Sequence, residues 1–192
     1  MNLDVKDAIV TRRSYRALVP VDITDDMVRE LAWAASLAPS CFNKQPWRLV
    51  FIRSPEMLEK MHGALSDGNE WARDGSMLII VLSKKELDCI MRDGRKYYQF
   101  DTGLGIGQMM LMATEMGLVT HAMAGFSPKK TREILGIPED MAVITVIAVG
   151  KHSLDRTANM DDEQWETEAD RPLRNEFEEF VHIERYGGKL DA

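Results

Sequence analysis

The sequence is poor in cysteine, in aromatic residues, in positive charge and in long apolar runs, and each shortage excludes something. Its two cysteines, Cys41 and Cys89, have no metal-ligand spacing and are too few to hold an iron–sulfur cluster alone. A disulfide between them is possible, but nothing in the sequence calls for one. The expectation is therefore a reducing, cytoplasmic setting. The longest apolar run, residues 141–149, is far too short to span a bilayer and suits a buried strand. The first ten residues lack a basic stretch followed by an apolar one, so neither a signal peptide nor a membrane partner is expected. Lysine and arginine number 24 against 31 aspartates and glutamates, a net charge of -7. That balance argues against nucleic acid as a partner, and any bound anion must be held by a local site. The four histidines lie far apart with no H-x-x-x-H pair, so no metal site is expected. No G-x-S-x-G elbow marks a nucleophile either.

What is present describes one domain of 192 residues. A short amphipathic helix with Val5, Ala8 and Ile9 inward precedes residue 12. Asp22 or Thr24 caps a helix that Pro39 stops, and Ser54-Pro55 and Ser127-Pro128 open two more. Strands are expected at 49–52, 77–82, 118–124 and 141–149. Residues 97–116 are apolar on nearly every side, the mark of a helix buried all round, with Gly117 as its stop. The glycines at 103, 105 and 107 are spaced G-x-G-x-G and do not form a dinucleotide fingerprint. They read instead as sites of close helix approach. Residues 153–170 are polar and acidic, an exposed connector to a tail ordered as a short helix and an edge strand. An all-round apolar helix and such a tail both ask for a second subunit.

Two stretches carry chemistry. "RRSYR" at 12–16 sets Arg12, Arg13 and Arg16 with the Ser14 hydroxyl, forked donors suited to a phosphate. It reads equally as a basic helix end favoured by the helix dipole. "APSCFNKQPW" at 38–47 follows a helix and concentrates Ser40, Asn43 and Gln45 between Pro39 and Pro46. Such a rigid loop can face a planar heterocycle, or it can simply connect helix to strand with Trp47 anchored in the core.

Together, R-R-S-x-R followed by A-P-S-x-x-N-x-Q-P-W closely resembles the nitroreductase family of FMN-dependent oxidoreductases. The likeness continues through "FDTGLGIGQMMLMATEMGL", "AMAGF" at 122–126 and the strand ending at Gly150. It implies an α+β fold with a central, mainly antiparallel sheet flanked by helices, in an intertwined homodimer with FMN at the interface. Residues 1–152 would form the FMN-binding domain, and 153–192 a connector and arm completing it and packing on the partner. Arg12, Arg13, Ser14 and Arg16 would hold phosphate and ribityl chain. Pro39, Ser40, Cys41 and Asn43 would line the isoalloxazine ring, from the other subunit. Ala124 and Gly125 would offer backbone N–H groups near flavin N5 and O4, with Arg171 on the phosphate and Gln108 a further contact. No side chain is implied as catalytic, because the flavin carries the chemistry. The implied cycle is ping-pong, from NADH or NADPH to a small acceptor such as a nitroaromatic or quinone. The same fold also hosts dehalogenases, flavin-consuming enzymes and flavin-binding modules. Two departures stand out: a second basic residue common two positions before Arg171 is Ala169 here, and only Asn69 remains for the flavin's pyrimidine edge.

Overall fold

The computed structural model describes residues 3–190. Five strands form one sheet: β1 (Leu18–Val19), β2 (Arg48–Ile52), β3 (Met77–Ser83), β4 (Val119–Met123) and β5 (Ala142–His152). Every pairing is antiparallel. β5 is the hub, pairing with β3 and β4 along its length and with β1 through Lys151 and His152, while β2 pairs with β3. The helices are α1 (Val5–Thr11), α2 (Asp25–Ser36), α3 (Pro55–His62), α4 (Tyr97–Glu115), α5 (Pro128–Leu135), α6 (Asp162–Glu166) and α7 (Phe177–Phe180).

The expected helix starts are realised by the expected side chains. Thr24, not Asp22, caps α2, its hydroxyl accepting from the Met27 N–H at 3.2 Å. Ser54 and Ser127 do the same for α3 and α5, each with proline in the first turn. Gly136 ends α5 in the left-handed conformation, φ 64°, which glycine adopts without a Cβ penalty.

β3 is buried along its whole length, and its side chains alternate between two apolar cores. Met77, Ile79 and Val81 join Leu31 and Ala35 of α2 and Ile106, Met109 and Ala113 of α4. Leu78, Ile80 and Leu82 join Met61 of α3 and Trp71 on the other face, with Ile134 and Leu135 of α5 against them. The sheet is thus covered by helices on both sides, with α4 and α2 forming one layer.

Two sequence expectations need correction and two gain detail. In α1 only Ala8 is buried, while Val5 and Ile9 stand in solvent, Ile9 at 54% exposure. Within one chain the sheet and α2 cover one side of α4 and leave Gly103, Gly107 and Gln108 exposed, the side that the expected second subunit would have to bury. The connector after β5 is largely exposed, and within it Asp161 and Gln164 form a capping box for α6 while Met160 and Glu168 are buried. The tail carries the short helix α7, but no edge strand forms among the described residues. β1 was not foreseen, being two residues long.

Of the three glycines of α4, only Gly105 serves close approach. A Cβ there would lie 3.2 Å from two carbons of the Trp47 ring and 3.4 Å from the Ala35 carbonyl, whereas Gly103 and Gly107 face open space. Trp47 is buried against this bare stretch of helix, which fixes the end of the 38–47 loop. Gly105→Val is expected to cost about 1–3 kcal/mol of stability by overpacking. Gly103→Ala is expected to leave stability unchanged or raise it by up to about 1 kcal/mol through helix propensity. Urea denaturation midpoints of the two variants measure the difference.

Candidate functional site

The arginine cluster begins where α1 ends. The Arg12 guanidinium reaches the Ser14 hydroxyl at 3.4 Å and lines a cleft of about 640 Å³ with Ile9, Pro39, Leu104, Gly107 and Gln108. The cleft is largely apolar, because its floor is the uncovered side of α4. Arg12 is half-buried, and its pKa is lowered by burial first and then by the positive charges of Arg171 and Arg174. Among the described residues no ion pair involves Arg12, Arg171 or Arg174. A cation at an apolar cleft, with further positive charge nearby and no carboxylate paired to it among the described residues, has the electrostatics that suit an anion.

The arginines divide their labour. Arg13 is committed to the chain itself: it donates to the carbonyls of Ala169 (2.8 Å), Glu168 (2.5 Å) and Asp170, and lies 4.7 Å over the Tyr15 ring. Arg171 donates to the carbonyls of Val10 (2.7 Å) and Arg12 (2.9 Å), where α1 runs out of backbone partners. The helix-end role open to "RRSYR" is thus filled by Arg171 from the far end of the chain. Arg16 uses its backbone N–H on the buried Glu168 carboxylate, which also takes the Ala17 N–H at 2.9 Å. The Arg16 side chain makes no hydrogen bond to a described residue.

The 38–47 loop is built against strain. Phe42, Asn43 and Gln45 have φ of 48°, 55° and 48°, left-handed values that cost a non-glycine residue about 1–2 kcal/mol each. Several ties hold this shape. The Ser40 hydroxyl accepts from the Gln45 N–H at 2.9 Å, Ser83 donates to the Pro46 carbonyl, and Asp101 of α4 accepts from the Cys41 N–H at 2.6 Å. Cys41 is also bonded to Cys89 in a disulfide, Cα atoms 6.1 Å apart. The sequence left that pairing open, and the structure closes it. Phe42 is 90% exposed at the loop tip.

A third group forms where β4 ends. Among the described residues the backbone N–H groups of Ala124 and Gly125 have no acceptor, whereas the Gly125 carbonyl takes the Ser66 N–H (3.0 Å) and the Asn69 side-chain amide (2.8 Å). The Asn69 amide packs so closely that a Cβ at Gly125 would lie 2.5 Å from its nitrogen.

Within one chain, then, the structure brings Arg12, Pro39 and Gln108 to the walls of one cleft, with Ser14 and Arg171 beside it. Ser40, Cys41, Asn43, Ala124 and Gly125 do not line it. Sequence reading missed two carboxylates that set the geometry. Asp101, the only charged residue between Lys96 and Glu115, holds the loop, and that isolation was its signal. Glu168 had none, being one acid among many. Among the described residues Cys41, Asp88 and Cys89 lie close enough together to hold a metal ion, but two of their three ligand atoms are sulfurs bonded to each other.

A wholly antiparallel sheet with helices on both faces, and an arginine-gated apolar cleft along the longest helix, define the class. The model of the nitroreductase family matches residues 9–74 and 68–151, and the chain belongs to that family. An Archaeoglobus fulgidus relative, named as an NADH dehydrogenase and NAD(P)H nitroreductase, is 33% identical over 147 residues, 74% of this chain and 82% of its own. A solved structure described as an oxidoreductase containing FMN matches with TM-score 0.82 and 25% identity over 98% of this chain and 96% of that one. A nitroreductase family protein of Clostridium difficile matches with TM-score 0.77 and 25% identity over 95% and 99%.

Because four carbonyls of the 167–170 segment converge on Arg13, this side chain carries the docking of the chain after β5. Arg13→Ala is expected to speed proteolytic cleavage within residues 153–176 roughly tenfold while the sheet core stays resistant. Limited proteolysis with mass mapping of the fragments measures this.

Proposed function

We propose that the chain is an FMN-dependent oxidoreductase that takes hydride from NADH or NADPH and delivers it to a small oxidised acceptor such as a nitroaromatic or quinone. The observation that carries this is Arg12 in the wall of an apolar cleft, with the charges of Arg171 and Arg174 near enough to act on it and no ion pair to it among the described residues. An acidic protein that gathers cations there has use for a phosphate, and the apolar walls have use for a flat ring system.

The donor set fits FMN. Arg12, the Ser14 hydroxyl and the Arg16 side chain hold the phosphate and ribityl end. Arg13 and Arg171 act beside them by fixing the backbone from which those groups project. Pro39, Ser40, Cys41 and Asn43 form a strained, exposed wall for the ring, and the unused N–H groups of Ala124 and Gly125 stabilise negative charge that develops along its edge. Asn69 orients that edge by holding the Gly125 carbonyl away from it. When bound, FMN supplies the hydride-accepting centre, so no protein side chain need act as nucleophile or base.

The chain works as a homodimer in this reading. Ile9, Val10, Trp33, Leu37 and Phe100 expose apolar surface around the cleft, and Leu173, Phe177, Phe180 and Tyr186 expose more along the tail, Leu173 at 97%. A patch of that kind calls for a partner, and a second copy would bring its 38–47 loop and its tail to the cleft of the first.

Purified protein is expected to be yellow or to turn so with added FMN. Anaerobic NADH or NADPH should bleach the flavin band, and a nitroaromatic or quinone should restore it. Bound flavin that neither nicotinamide bleaches would make the chain a flavin-binding module instead. Arg12→Ala should weaken FMN binding roughly 10- to 100-fold, the value of one charge-assisted contact, in a chain that still folds. Flavin fluorescence titration and circular dichroism check both halves, and wild-type affinity in that variant would remove the phosphate assignment.

A further inference from the structure

We propose that Cys41 and Cys89 form a reducible latch: their disulfide holds the strained 39–45 loop in shape, and exchange with a dithiol reductant releases it. The bond ties together segments 48 residues apart in sequence. On one side lies the loop with Phe42, Asn43 and Gln45 in the left-handed region. Such a conformation persists only where its surroundings over-determine it. Once the sulfurs part, the loop is held by hydrogen bonds alone: Ser40–Gln45, Asp101–Cys41, the Asn43 and Lys44 N–H groups on the Ser40 and Cys41 carbonyls, Arg48 on the Gln45 carbonyl and Ser83 on the Pro46 carbonyl, each of which can break by local fluctuation.

The other side of the latch is also poised to move. Cys89 follows a short 3-10 turn at Lys85–Leu87, and its N–H donates to the buried Asp88 carboxylate at 2.7 Å. The second Asp88 oxygen is buried without a hydrogen-bond partner. A buried acceptor left unsatisfied favours any rearrangement that lets water reach it. Burial raises the Asp88 pKa, with Asp101 adding to the shift, in keeping with two carboxylates sharing a dry corner. Neither cysteine is fully buried, and Ile90 beside Cys89 is exposed, so a reductant can approach.

The exchange balances simply. A thiolate of the reductant attacks one sulfur, the Cys41–Cys89 bond breaks, and the second reductant thiol releases the mixed disulfide. Two electrons and two protons pass from the dithiol to the protein, which leaves with two thiols, and the reductant leaves as a disulfide. Closing needs an external disulfide, which takes back the two electrons and two protons. The consequence for FMN rests on the function proposed above, because Pro39, Ser40, Cys41 and Asn43 form the wall against its ring.

Hydrogen exchange and thiol titration on the FMN-free full chain test the latch apart from flavin binding. After incubation with oxidised glutathione the protein should show no free thiol, and dithiothreitol should expose both. Reduction should speed exchange of the amides at 41–45 roughly tenfold or more while the β3 and β5 amides stay protected. Cys89→Ser should match the reduced wild type and ignore dithiothreitol. With FMN added, reduction should raise the dissociation constant roughly three- to tenfold. Unchanged exchange at 41–45 on reducing the wild type overturns the latch, whatever the variant does. So does stoichiometric zinc uptake by the reduced chain that restores protection, since Cys41, Cys89 and Asp88 would then be a metal site. Faster exchange in a chain that binds no FMN in either state would leave the latch standing and remove the flavin reading.

Discussion

Helix α4 carries apolar side chains around most of its circumference, and a single sheet can cover only one side of it. Most of what distinguishes this protein follows from that constraint. The inner side packs against β3 and α2 and closes one core. The outer side remains open and becomes the floor of the cleft, and Asp101 near its start pins the 38–47 loop from below. The bare backbone at Gly105 gives Trp47 its seat, so the same helix fixes both ends of that loop. Stability and the proposed site are therefore not separable here: the surface that one chain cannot bury is the surface on which the function is proposed.

Charge is handled with the same economy. A chain of net charge -7 gathers arginines at one corner, yet most are occupied. Arg13 neutralises no acid and instead gathers carbonyls, while Arg171 completes the end of α1. Their effect is to leave Arg12 in the cleft wall with the positive charges of Arg171 and Arg174 nearby, and the Arg16 side chain with no hydrogen bond to a described residue. Glu168, buried beneath, takes the backbone N–H groups of Arg16 and Ala17 and so fixes the turn that follows the arginines. An overall negative field with one local positive seat selects for a ligand held by contact over one gathered from a distance.

Much of the fold was legible from local signals. Thr24, Ser54-Pro55, Ser127-Pro128 and Gly136 act through bonds to residues a turn away, so their meaning does not depend on the rest of the chain. β3 and β5 were legible from unbroken apolar runs. Of the site, "RRSYR" and "APSCFNKQPW" were visible as motifs, and their order along the chain pointed to the family. The division of roles among the arginines was not visible, because it depends on carbonyls about 160 residues away. Nor was the disulfide, since spacing in sequence says nothing about whether two loops meet.

The sequence alone determined the helices other than α6 and the strands other than β1, the antiparallel α+β class through its resemblance, and the presence of an arginine cluster. These rest on short-range chemistry written in neighbouring residues. Only the tertiary structure decided that α4 is half uncovered, that Arg12 and not Arg13 faces the cleft, that Asp101 and Glu168 are the carboxylates that matter, and that Cys41 meets Cys89. Each of these is a contact between residues distant in the chain, and long-range packing alone chooses which of several equivalent acids, arginines or cysteines comes to lie where the chemistry needs it.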